Sequence, residues 1–65
     1  MHKMKKFKVE FLLYHESFNG YDLCDGWTTH MVEARTQDSA VKKARKLVSK
    51  SYEIRSTVVV RVYGD

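Results

Sequence analysis

From Phe7 to Tyr14 apolar and polar positions alternate. Phe7, Val9, Phe11 and Leu13 fall on one side, and Lys8, Glu10, Leu12 and Tyr14 on the other. A period of two is the signature of a half-buried strand. Residues 15–26 break that rhythm with Asn19-Gly20 and Asp25-Gly26, both turn-forming pairs, so they read as a long hairpin loop. Phe18, Tyr21 and Leu23 within it are expected to fold back on the sheet. Alternation resumes from Trp27 to Ala34, with Thr28, His30, Val32 and Ala34 opposed to Trp27, Thr29, Met31 and Glu33, a second strand.

Beyond Ala34 the period changes. Thr36 suits an N-cap and Asp38 the first helical turn, where a negative charge complements the helix dipole. Ala40, Val41, Ala44, Leu47 and Val48 build one apolar stripe at 3.6 residues per turn, and the opposite face is Lys, Arg and Ser. Ser49-Lys50-Ser51 should end the helix, and Tyr52 to Tyr63 alternates as a third strand. Ile54, Ser56, Val58, Val60 and Val62 are expected on its core side, with Arg55, Thr57, Val59, Arg61 and Tyr63 on the other.

The order β-β-α-β, with strand two antiparallel to strand one and a right-handed crossover through the helix, favours an α+β fold. Its expected form is a three-stranded antiparallel sheet in order 2-1-3 with one helix packed on one face. At 65 residues the chain is read as a single domain, 1–65, with residues 1–5 as a flexible basic N-terminus. Lone Cys24 excludes an intramolecular disulfide framework and fits a reducing, cytoplasmic setting. The apolar run Phe11-Leu12-Leu13-Tyr14 ends at His15-Glu16, too short for a secretory h-region or a membrane span, so no membrane partner is expected.

Charge adds a further feature, because the net +4 is unevenly placed. Lys3, Lys5, Lys6 and Lys8 open the chain, and Glu10, Glu16, Asp22, Asp25, Glu33 and Asp38 then face Arg35 alone. Lys42, Lys43, Arg45, Lys46 and Lys50 follow with no acid among them. That basic helix face is a candidate for phosphate contacts of low sequence preference. It is equally what the wet side of an ordinary helix looks like.

Chemistry is sparse. There is no phosphate-cradling glycine loop, nucleophile elbow or His-Glu-x-x-His helix, so no catalytic residue is assigned and an enzyme is not expected. Nothing in the sequence activates Cys24 through His15 or His30. His15, Asp22, Cys24 and Asp25 lack the regular pair spacing of a zinc site, so neither metal nor cofactor is expected. His30 is read as a hydrogen-bonded core-side histidine. The stronger candidate is the sheet face away from the helix, assigned Leu12, Tyr14, Trp27, Met31, Arg55, Val59, Arg61 and Tyr63, with Lys8 nearby. Aromatics mixed with cations suit a protein partner, a second copy of the chain, or single-stranded nucleic acid.

Lys5-Lys6-Phe7, Val32-Glu33-Ala34-Arg35-Thr36-Gln37-Asp38-Ser39-Ala40 with Ala44, and Tyr52-Glu53-Ile54 together resemble small bacteriophage-encoded β-β-α-β host-takeover proteins. Inhibitors of host RNA polymerase are among these. The resemblance implies a phage or mobile-element protein, a non-enzymatic, cytoplasmic binding module that binds and inhibits a host protein machine such as RNA polymerase or an anti-phage defence complex. Arg55 and Arg61 are then the nearest candidates for polymerase contacts. The alternative is a small basic nucleic-acid-binding protein.

Overall fold

The computed structural model describes residues 3–63. They form β1 (Lys5–Glu16), β2 (Asp22–Ala34), α1 (Gln37–Arg45) and β3 (Glu53–Val62). The strands make one antiparallel sheet in order β2-β1-β3, the expected α+β arrangement. Lys5 already belongs to β1, so the expected flexible stretch does not extend to it, and Met1 and His2 lie outside the described residues.

The central strand carries the core. Phe7, Val9, Phe11 and Leu13 are all buried, together with Ala34, Ala40 and Ala44. Ala40 and Ala44 are the buried residues of the helix, and their small side chains let its backbone approach the sheet closely; Val32, Val41, Val48, Ile54 and Val59 pack against the cluster. Thr36 caps the helix as its spacing implies: its backbone is extended and its Oγ1 accepts the Ser39 amide at 3.1 Å.

Three expectations need correction. The first concerns residues 15–26, which are mostly strand: His15 pairs with Leu23 and Glu16 with Asp22. Only a tight turn remains, closed by the Gly20 amide donating to the Ser17 carbonyl (2.9 Å) and the Ser17 amide donating to the Tyr21 carbonyl (2.7 Å). Gly20, at φ 86°, supplies the left-handed residue that a short hairpin loop requires. Asp25-Gly26 is a β-bulge, the register slipping between Leu13 and Tyr14 with Gly26 at φ 88°. A bulge and a turn make the same demand on glycine, which is why the pair reads as a turn. Phe18 and Tyr21 do not fold back; they are 99% and 70% exposed, and Leu23 is exposed as well.

The second correction is to the helix stripe. α1 stops at Arg45, and Leu47 and Val48 continue through tighter turns onto the Ala44 and Arg45 carbonyls (3.0 and 3.2 Å). Tightening to three residues per turn rotates the following side chains off the α-helical stripe. Leu47 ends 62% exposed, outside the core, whereas Val48 stays half-buried.

The third correction concerns β3. A second bulge, between Leu12 and Leu13, leaves Arg55 unpaired between Ile54, opposite Leu13, and Ser56, opposite Leu12. One extra residue reverses the side assigned to everything after it. Thr57, Val59 and Arg61 therefore stand opposite Phe11, Val9 and Phe7 on the helix side. Val58, Val60 and Val62 turn to the open face opposite Glu10, Lys8 and Lys6.

Candidate interaction surfaces

The nine residues of α1 span about 13 Å, whereas the twelve of β1 reach about 40 Å. One helix covers one face, and the other face stays open. Trp27 stands beside Leu12, and Met31 and Val60 flank Lys8 from either side. Thr29 and Val58 flank Glu10, with Thr29 Oγ1 donating to Glu10 Oε2 at 3.1 Å. Trp27, Met31, Val58 and Val60 are each between 42% and 53% exposed, so the ladder is apolar and wet.

Of the residues assigned to this face from sequence, Leu12, Tyr14, Trp27 and Met31 are brought together. Arg55 joins them through its guanidinium, 4.3 Å above the Tyr14 ring. Val59 and Arg61 do not belong, because the β3 bulge turns them to the helix side, where Val59 packs on the core. Tyr63 also lies elsewhere, following Arg61 around the end of the sheet, with the Arg61 guanidinium 4.7 Å above its ring. Val58 and Val60 take their places. No local residue pattern announces a bulge at Arg55, which has neither glycine nor proline beside it.

At the hairpin end, charges find partners. Arg55 donates through Nε to Glu53 Oε1 (3.1 Å) and through Nη2 to Asp22 Oδ2. Glu53 first, and Asp22 second, hold the guanidinium more firmly protonated than usual. His15 Nδ1 lies 2.6 Å from Asp25 Oδ2, and the His15 ring meets Tyr52 edge-on. Cys24 sits opposite Tyr14 and is exposed. The Tyr14 phenol is raised above the ordinary tyrosine value by its hydrogen bond with Cys24, then by repulsion from the Cys24 charge and by desolvation, with Arg55 pulling the other way. Asp22 and Glu53 are thus committed to Arg55, and Asp25 to His15. Among the described residues no three His, Cys, Asp or Glu side chains converge as metal ligands would.

At the opposite end Lys5, Arg35 and Arg61 line a concavity of about 350 Å³ with Phe7, Thr36, Gln37 and Tyr63. Among the described residues no acidic side chain lines it. The guanidinium Nε of Arg61 is shielded from solvent and finds no acceptor among the described residues.

The helix cations are scattered by comparison. Lys42 and Arg45 flank a shallow hollow beside Asp38 and Val41, Lys43 reaches back to donate to the Glu33 carbonyl, and Lys46 and Lys50 are exposed beyond the helix end. His30 is a hydrogen-bonded core-side histidine, with Thr28 Oγ1 3.1 Å from its Nε2 and its ring 5.8 Å from that of Phe11. No described helix is long and apolar enough to cross a membrane. No family model, curated protein or solved structure matches this chain.

Proposed function

We propose that the chain is a non-enzymatic binding module whose open sheet face docks a protein partner. The single observation that supports this most is the ladder of Leu12, Trp27, Met31, Val58 and Val60, left in water beside Lys8, Glu10 and Arg55. An apolar centre containing Trp and Met, rimmed by charge, has the composition of an interface core with a polar surround. The phage-type resemblance makes a host protein machine, RNA polymerase or a defence complex, the partner class.

The test is affinity capture from nuclease-treated bacterial lysate with wild type, Trp27→Asp and Val60→Asp, alongside sedimentation and circular dichroism. Both changes fall on exposed positions, so the variants are expected to stay folded and to lose the captured protein. Capture that disappears with nuclease treatment alone would move the assignment to nucleic-acid binding. A wild-type dimer that either variant turns into a monomer would assign the face to a second copy of the chain. Folded variants that capture the same protein as wild type would refute the proposal.

A further inference from the structure

The geometry points to a second site, a receptor for a phosphate monoester, in the concavity between the start of β1, the Arg35–Gln37 corner and the end of β3. It is independent of the open sheet face, because Phe7 and Arg61, which line it, project from the helix side.

Three long cations converge there from three separate segments: Lys5 from β1, Arg35 from the corner before α1, and Arg61 from β3. Like charges gathered around one hollow repel one another, and the arrangement is relieved by an anion at its centre. None of the three forms an ion pair among the described residues, although Arg55 at the far end of the same sheet has two carboxylates. Arg61 carries the argument furthest. Its Nε is out of water and without an acceptor, a state that costs free energy until an acceptor arrives. An oxyanion that engages Nε and a terminal nitrogen together, the paired geometry in which arginine holds phosphate and carboxylate, requires the Arg61 side chain to turn from its place above the Tyr63 ring, since Nε is closed to solvent there.

Three cations select a doubly charged group over a singly charged one, which favours phosphate over carboxylate or chloride. Thr36 and Gln37 bring the start of α1 to the wall, and its dipole adds charge of the same sign. The Tyr63 and Phe7 rings border the hollow, leaving apolar surface for the group that carries the phosphate.

The experiment is an amide-detected NMR titration with inorganic phosphate, AMP and adenosine, each against sodium chloride at matched ionic strength. Phosphate and AMP should give saturable shifts confined to the neighbourhood of Lys5, Arg35–Gln37 and Arg61–Tyr63. AMP tighter than phosphate would identify a nucleotide site, and equal affinities would identify a site for the phosphate group alone. Arg61→Gln, and separately Arg35→Gln, should each weaken phosphate binding about tenfold, the loss of roughly one charge-assisted hydrogen bond. Arg35 and Lys5 are exposed, so Arg35→Gln and Lys5→Gln keep the test valid if Arg61→Gln fails to fold. Shifts no larger than those from chloride, adenosine binding as well as AMP, or folded variants with unchanged affinity would overturn the inference.

Discussion

Both ends of this sheet carry arginine on β3, yet the two arginines live in opposite circumstances. Arg55 sits between Asp22 and Glu53 and above Tyr14, its charge answered on every side. Arg61, on the same strand, shares its surroundings with Lys5 and Arg35 and, among the described residues, meets no carboxylate in the hollow it lines. The difference comes from strand pairing. Antiparallel order lays the acidic middle of the chain, Glu16 to Asp25, beside the start of β3, and lays the basic start of β1 beside its end. Charge blocks in the sequence thus become charge separation along a molecule 52 Å long. At one end the arginine is answered by carboxylates; at the other the lining cations are left to attract an anion.

This contrast presumes one core that holds both ends in place, and Phe11→Ala should remove it. Phe11 is fully buried, so the change should cost about 3–5 kcal/mol and unfold the domain, as thermal circular dichroism would show. Leu47→Ala, at a position 62% exposed, should cost under about 0.5 kcal/mol and act as the control. At the hairpin end, Gly20→Ala and Gly26→Ala should each cost about 1–2 kcal/mol. Both glycines have positive φ and open space around the missing Cβ, so the cost is backbone conformation alone. An unchanged melting temperature for both would show that the hairpin end tolerates another path.

The two arginine environments should also respond to neutralisation with opposite signs. Arg55→Gln removes the cation shared by Asp22 and Glu53 and should lower the melting temperature in low salt. Arg35→Gln relieves repulsion with Lys5 and Arg61 and should raise it in phosphate-free, low-salt buffer. Salt should shrink both differences, by melting curves recorded across ionic strength. Two shifts of the same sign would dissolve the distinction between the ends. The smallest effect is local: Cys24→Ala should bring Tyr14 down toward the ordinary tyrosine value near 10, read from its ring-carbon NMR shift during an alkaline titration. Deprotonation at lower pH than in wild type is the expected direction, since the dominant cause of the upward shift is removed.

What could be read from sequence followed from period. Alternation in Phe7–Tyr14 and Trp27–Ala34 placed the core side of β1 and β2, and Thr36 with Asp38 placed the helix start. Two single-residue insertions defeated the rest. At Asp25-Gly26 the glycine was visible but had two structural meanings, and pairing with β1 beyond the bulge decided between them. At Arg55 nothing was visible, because the extra residue is fixed by where Leu12 and Leu13 find partners, some forty residues away in sequence. Val59, Arg61 and their neighbours changed sides in consequence. The open face was therefore recoverable through Leu12, Tyr14, Trp27 and Met31, whereas the cationic hollow could not have been assembled without the register.

Strand order also has a temporal side. β1 is central, so its two neighbours must come from the next segment of chain and from the last. β2 follows after a tight turn and can zip onto β1 at small cost in loop closure. β3 cannot: Lys6 waits for Val62, and Val9 for Val59. During synthesis the newborn β1–β2 hairpin therefore holds Phe7, Val9 and Phe11 along an unfilled edge until the final strand emerges. Thr57-Val58-Val59-Val60 then arrives as a short, uncharged, β-branched run that is itself sticky until it docks. Lys8 and Glu10 lie opposite Val60 and Val58, so the vacant place is bordered by charge, as edges commonly are where stray strands must be refused.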